Sequence, residues 1–361
     1  MKPAFAAEAG ISPIEKCCAV TPAPGINLDT YTNVDPIWHP PGARGIYGGA
    51  AIAQCLNAAY ETVAPDFVVH SMHCHFLLAG NSKLRVHYSV ERIRDGRSFI
   101  TRSVRAFQGD VCFFTTMISF QKMATRSSLV LTAAVRPPVG ARSPGNSKNV
   151  SNPCHDTEEP FETVTFGYAA GPSPASRKPQ QWIRAHGSIV GDQDRATHRR
   201  ASNTQVASQR AHIVALAYMS DSDFINTVSR VHRLVQFSTP EYIKLTRDGF
   251  HGGEVERLRM EEWLQGRGRD EVKTNEEAAQ VEGRTVPRRV GMLVSLNHTI
   301  FFHNHHHIRA DEWLFSEMGC PWTGDERGVV TQHVWTADGV LVATCIQEGV
   351  VRVAQEDKGR L

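Results

Sequence analysis

Several places in the chain combine residue types that can do chemistry. Asp221 ends a run, Ile213 to Met219, that is apolar almost all round. A carboxylate at a helix C-terminus sits against the negative end of the macrodipole, and burial would push its pKa further up, toward that of a general base. The competing readings are a solvated terminal Asp or a partner for Arg230, with Asp223 as the rival carboxylate. Ser295 lies in an alternating segment. Met292, Val294, Leu296, Ile300 and Phe302 face one way; Leu293, Ser295, Asn297 and Thr299 face the other. Its hydroxyl either holds a reacting group or belongs to a solvent-facing side. No nucleophile elbow surrounds it and no His is placed as its base, so a covalent Ser nucleophile is not expected. Gln347 shares a strand face with Leu341, Ala343 and Cys345, where a primary amide must find hydrogen-bond partners. It reads either as a satisfied core Gln or as an amide that orients a water; Glu348 points the other way.

Two further clusters suggest chemistry that the spacing does not support. His303, His305, His306 and His307 invite a metal, but no carboxylate or Cys completes a ligand set at fixed spacing. A surface loop is expected, with no metal and no cofactor. Gly45, Gly48 and Gly49 lack the GxGxxG spacing of a dinucleotide site and read as a tight turn before a helix.

The elements that must position these residues follow from composition and period. The chain has 361 residues, 39 Lys+Arg against 37 Asp+Glu, and 41% hydrophobic residues. Near balance of charge excludes the basic footprint of a dedicated nucleic-acid binder, and the length suggests two domains. No apolar stretch reaches 18 residues, so no membrane span is expected, and the first residues lack the apolar core of a secretory signal. Eight Cys without a CxxC pair read as free, buried thiols. Residues 44–63 read as a glycine loop feeding a buried helix, and 68–78, 84–93, 98–108 and 111–121 as strands, the last two a hairpin. Residues 122–180 are a Ser-, Pro- and Arg-rich linker with one strand near 160–168. A strand at Trp182–Ala185 follows, then a polar insert at 190–210, a second buried helix ending near Asp221, and a Glu- and Arg-rich helical stretch at 252–285. Strands return at 291–303, 311–319, 328–336 and 340–351.

The two halves repeat one order: buried helix, then four strands closing on a hairpin. Ser71-Met72-His73-Cys74 begins one set where Ser295-Leu296-Asn297-His298 begins the other. In that register the first half has Thr62 or Val63 near the place of Asp221 and Ile118 in that of Gln347, so one complete constellation is expected, in the second half. The fold class is therefore α+β, with two tandem units, each a helix wrapped by an antiparallel sheet.

At Gly45-Ile46-Tyr47-Gly48-Gly49, Val69-His70-Ser71-Met72-His73, Gln181-Trp182-Ile183-Arg184, Tyr218-Met219-Ser220-Asp221, Ser295-Leu296-Asn297-His298-Thr299 and Val342 to Val350, in that order, the chain resembles the acyl-CoA thioesterase II family. The resemblance implies a double hotdog, with an N-terminal unit at 1–121, a linker at 122–180 and a catalytic C-terminal unit at 181–361. It implies hydrolysis of fatty acyl-CoA to free acid and CoA by a water held between Asp221, Ser295 and Gln347. Alternatives are a thioesterase or acyltransferase acting on a polyketide-type thioester, and a non-catalytic acyl-CoA binder. The expected partners are the acyl-CoA substrate and a second copy in a homodimer, with no nucleic acid. Family members carry Asp where this chain has Asn297. Two residues from Ser295, that change is expected to bear on the pKa of Asp221 or on substrate choice. The chain ends Gly359-Arg360-Leu361, a weak peroxisomal address; otherwise a cytoplasmic location is expected.

Overall fold

The computed structural model describes residues 11–23, 28–38, 45–123, 131–141, 143–144, 160–169, 171–190, 204–235 and 288–354. The elements run α1 (Pro13–Cys18), β1 (Val20–Pro22), β2 (Thr30–Asn33), α2 (Gly48–Tyr60), β3 (Phe67–Phe76), β4 (His87–Asp95), β5 (Phe99–Gln108), β6 (Val111–Lys122), β7 (Phe161–Ala169) and β8 (Lys178–Ala185). They continue with α3 (Thr204–Met219), α4 (Asn226–Val231), β9 (Val290–Phe302), β10 (Leu314–Gly324), β11 (Arg327–Thr336) and β12 (Leu341–Val353). The twelve strands form one sheet in the order β1-β2-β4-β5-β6-β3-β9-β12-β11-β10-β8-β7, with antiparallel pairing throughout. The first six belong to the first half and the last six to the second. They meet at β3 and β9, where Met72 lies opposite Ile300 and Cys74 opposite His298. This is the double hotdog: two helix-wrapped sheets joined edge to edge.

Helix α2 forms because small and straight side chains dominate it, and they also let it lie deep. Every residue from Gly49 to Tyr60 is buried except Asn57. With so little side-chain bulk, α2 packs directly on α3: a Cβ on Gly49 would come within 2.1 Å of the Tyr218 carbonyl oxygen. The Tyr47 hydroxyl donates to that same oxygen at 3.1 Å. Helix α3 is buried on all sides from Ile213 to Ser220, as its composition requires. Both helices rest on the inner face of the sheet, in one core with Met72, Ile118, Ile300, Val330 and Cys345.

A second apolar cluster, Trp182, Trp313, Phe315, Trp335 and Leu341, lies apart from that core. Part of the sequence read as linker covers it: the Trp335 indole N–H donates to the Val135 carbonyl at 2.9 Å, and Ala141 packs against the cluster. The structure departs from the sequence reading at two further places. Residues 204–210, read as a polar loop, are the first turns of α3. The elements α1, β1 and β2 precede the first segment that reading recognised. The four-histidine cluster is a loop, as the sequence suggested, in which Asn304 takes a left-handed φ of 41° before a single 3₁₀ turn at His305–His307. The 252–285 stretch and the last three residues lie outside the described residues. Of the described cysteines, all are free; Cys17 and Cys112 are half-buried and the rest buried.

Candidate active site

Helix α3 ends at Met219 and delivers Asp221 to a position under the inner face of β12. The chain turns there because Ser222 N–H bonds back to Met219 and Asp223 takes a left-handed φ of 54°. Asp221 is 11% exposed. Its Oδ1 accepts the Gln347 Nε2–H at 2.8 Å. The Gly49 backbone N–H also donates to it, so the carboxylate faces the N-terminus of α2 as well as the C-terminus of its own helix. A Cβ at Gly48 would lie 2.5 Å from Asp221 Oδ2 and 2.9 Å from the Phe76 ring. Glycine is what lets α2 start against the carboxylate. Burial pushes the Asp221 pKa up to about 7, against the lowering pull of the Gln347 and Gly49 hydrogen bonds. Burial is one of the two causes anticipated from sequence, and it leads.

Gln347 stands on β12 directly opposite His298 on β9. Both are fully buried. The same amide nitrogen that donates to Asp221 lies 3.2 Å from His298 Nδ1. On the far side of the ring, His298 Nε2 lies 3.0 Å from Ser220 Oγ, and that hydroxyl donates to the Ala217 carbonyl at 2.8 Å. Phe224 meets the ring edge to face, with centroids 5.4 Å apart. Burial pushes His298 down to about 3, so its 3.8 Å approach to Asp221 is a neutral contact and not an ion pair. Gln347 Oε1 is buried and has no partner among the described residues.

The structure thus brings Asp221 and Gln347 into contact and leaves Ser295 two rungs along the sheet. A bulge decides the geometry of Ser295. On β9, Asn297 pairs with Glu348 but Ser295 pairs with Gly349, so Leu296 is the extra residue. The bulge reverses the alternation read from the sequence. Ser295 faces inward, on the side of Gln347 and His298. Asn297 faces outward, donating to Glu348 Oε2 at 3.3 Å and accepting the Glu348 backbone N–H at 3.0 Å. The shared face expected for Ser295 and Asn297 is therefore wrong, and the Asn297 side chain does not reach Asp221. No hydrogen bond joins Ser295 to Asp221 or Gln347 among the described residues. Opposite Ser295, Gly349 leaves room that Ile225 fills: a Cβ there would meet Ile225 Cδ1 at 2.5 Å.

His298 is the residue the sequence reading missed. The signal was present: in the alternation of that segment, His298 falls between the apolar positions Leu296 and Ile300. A histidine there must be paired with something. Among the described residues no group of three or more His, Cys, Asp or Glu is placed to hold a metal. No helix is long and apolar enough to cross a membrane.

Comparisons with known proteins follow the same division into halves. Residues 35–121 match the model of the acyl-CoA thioesterase N-terminal domain, and residues 133–351 that of the acyl-CoA thioesterase C-terminal domain. The chain is 30% identical to acyl-coenzyme A thioesterase 8 of Homo sapiens, over 90% of this chain and 89% of that one. It is 33% identical to peroxisomal acyl-coenzyme A thioester hydrolase 1 of Saccharomyces cerevisiae, over 32% of each. Among solved structures, the acyl-CoA thioesterase II TesB2 of Mycobacterium marinum superposes with a TM-score of 0.61 at 23% identity, covering 96% of this chain and 99% of that one.

Proposed function

The chain belongs to the acyl-CoA thioesterase family and hydrolyses acyl-CoA thioesters; on that premise we propose that Asp221, Gln347 and Ser295 hold and activate the attacking water, and that the acyl group is a fatty acyl chain. The observation that carries the site assignment is the Asp221–Gln347 hydrogen bond around a carboxylate poised near neutrality. Asp221 is the general base. The free Gln347 Oε1 accepts one O–H of the water, which turns its lone pair toward the thioester carbon. Ser295, on the same inner face, holds the water or the thioester oxygen.

Attack forms the C–O bond while the water proton passes to Asp221. The tetrahedral oxyanion then collapses with cleavage of the C–S bond. The CoA thiolate leaves, and the proton held by Asp221 returns, giving acid and thiol. A thiolate is a good leaving group, so no covalent Ser intermediate is needed. Backbone N–H groups would carry the oxyanion charge. The test is thiol release from a panel of acyl-CoAs. Wild type should turn over medium or long chains, and Asp221→Asn, still folded, should lose at least about 10²-fold in kcat. Equal rates would remove Asp221 from the mechanism.

In the same reading, the chain divides into an N-terminal unit at 1–121 and a catalytic unit at 181–361, with 122–180 joining them and lending β7 to the second sheet. A homodimer is proposed because the outer face of the central strands carries a row, Met117, His73, Thr299 and Ile346, in which Met117 and Ile346 are exposed. Light scattering should give twice 40.0 kDa. A peroxisomal location is proposed from Gly359-Arg360-Leu361 and from the name of the yeast relative. Removing those three residues should disperse an N-terminally tagged chain through the cytoplasm.

A further inference from the structure

We propose that His298 is a positioning residue for hydrolysis: its ring, oriented by Ser220, accepts a hydrogen bond from the Gln347 amide and fixes which end of that amide meets Asp221. The inference rests on the assignment of Asp221 and Gln347 given above and adds a residue that does not touch the reacting atoms.

The argument is one of proton direction. Ser220 Oγ spends its hydrogen on the Ala217 carbonyl, 2.8 Å away. Towards His298 Nε2, at 3.0 Å, it can then only accept. The ring therefore carries its hydrogen on Nε2, and Nδ1 is left as an acceptor. The atom facing Nδ1 must be a donor, and the Gln347 atom there, at 3.2 Å, is Nε2. One hydrogen of that NH₂ goes to His298 and the other to Asp221 Oδ1, at 2.8 Å. The oxygen of the amide is thereby excluded from both contacts and left unpartnered. Turned over, the same amide would present its oxygen to Asp221 Oδ1 and to Nδ1, two acceptors, and the carboxylate would keep the Gly49 N–H but lose its side-chain donor. A neutral, buried imidazole is well suited to this duty. Burial holds its pKa near 3, so Nδ1 stays an acceptor throughout the working range of the enzyme.

The arrangement also bears on the base. The Gln347 donor is the leading influence that lowers the Asp221 pKa. Losing it should raise the pH at which Asp221 becomes a carboxylate. The Cys74 and Cys345 thiols, on β3 and β12, feel the Asp221 charge in turn; burial first and that charge next push both well up, so they stay neutral there.

The experiment measures kcat, KM and the pH midpoint of kcat for wild type, His298→Ala, His298→Asn and Ser220→Ala, with Asp221→Asn as reference. His298→Ala should lower kcat about 10- to 100-fold with KM within about 3-fold, and move the midpoint upward. His298→Asn, whose Oδ1 can replace Nδ1 as acceptor, should recover most of the rate and bring the midpoint back. Ser220→Ala, which frees the ring to take the other tautomer, should shift both in the same direction by less. A His298→Ala enzyme with wild-type kcat and midpoint overturns the proposal while Asp221→Asn keeps its loss of about 10²-fold. If His298→Ala does not fold, an unchanged Ser220→Ala overturns it. If Asp221→Asn is fully active, the reading beneath the proposal has failed instead.

Discussion

The two halves place equivalent rungs of the sheet in opposite service. Each has a bulge on the strand at the seam: His70 is the extra residue on β3 and Leu296 on β9. Aligned on the bulges, the rung Met72–Ile118 of the first half matches the rung His298–Gln347 of the second. On the far side of each bulge, Val69–Phe120 matches Ser295–Gly349. Every first-half member of this set is apolar and buried. Beyond the helix end, where the second half presents Asp221, the first half has Thr62 and Val63. There the Arg102 side chain, itself buried, donates to Thr62 Oγ1 at 2.8 Å and to the Thr62 carbonyl at 3.1 Å. One helix C-terminus is sealed by a cation and hydrocarbon; the other is left with a carboxylate in a polar pocket. The bulge alignment also replaces the register read from sequence, in which Ser71 matched Ser295. Ser71 pairs with Ser119 on the opposite side of the sheet.

The sharpest test of this contrast is to write the first half into the second. The double variant His298→Met, Gln347→Ile should lose at least about 10³-fold in kcat while keeping its fold, because both replacements suit the apolar face and remove an unpartnered amide oxygen. Circular dichroism with a thiol-release assay checks both halves of the statement. A double variant with residual activity near that of wild type would show that the polar rung is not what separates the halves.

Asp221→Asn comes next, with its loss of about 10²-fold, and it carries a second readout. The folded pKa of about 7 lies above the unfolded value near 3.8. The folded chain therefore holds its proton longer. The stability tied to that proton is fully present below about pH 4 and is lost as pH rises to about 7. Asn cannot ionise, so the variant should gain stability over wild type across that window, reach a plateau above it, and gain at most about 4 kcal/mol there. Thermal melts from pH 4 to 8.5 measure this. The kcat of wild type should rise through pH 7 in the same range, since the base works only when ionised. A stability difference that is flat with pH would mean that Asp221 is not perturbed.

Arg102→Met probes the sealed end. It leaves the Thr62 carbonyl without its donor and removes the pairing to Asp95, which is 2.5 Å away. A loss of about 2–4 kcal/mol in urea unfolding is expected, with kcat of the remaining folded enzyme within about 3-fold. A large fall in kcat with little loss of stability would tie the two ends together functionally and erase the contrast.

How much of this was legible beforehand follows from the same residues. The helix before Asp221 was legible because its run is apolar on every side, which marks a buried helix and makes a carboxylate at its end conspicuous; the choice of Asp221 over Asp223 came from the family resemblance. Gln347 was legible because β12 keeps strict alternation through Ala343, Cys345 and Gln347. The orientation around Ser295 was not, because a bulge adds one residue without leaving a mark in composition, and every side chain beyond it changes face. His298 was missed for a related reason: its partners, Ser220 and Gln347, lie 78 and 49 residues away in sequence. The strands β1 and β2 are three and four residues long, too short for a period to show.

Asn297→Asp makes the smallest change and asks whether the bulge assigns the faces correctly. Had Asn297 shared the face of Ser295, a new carboxylate there would push the Asp221 pKa further up and move the kcat midpoint. In the structure it lies on the outer face beside Glu348, which is already paired with Arg327 at 2.7 Å. The Asp oxygen can keep accepting the Glu348 backbone N–H, while the second oxygen replaces a donor to the Glu348 carboxylate with a like charge. The cost should therefore fall on stability, up to about 1 kcal/mol above pH 5 and reduced by salt, with the kcat midpoint unmoved. A midpoint that rises while stability is unchanged would put Asn297 back on the inner face and undo the bulge.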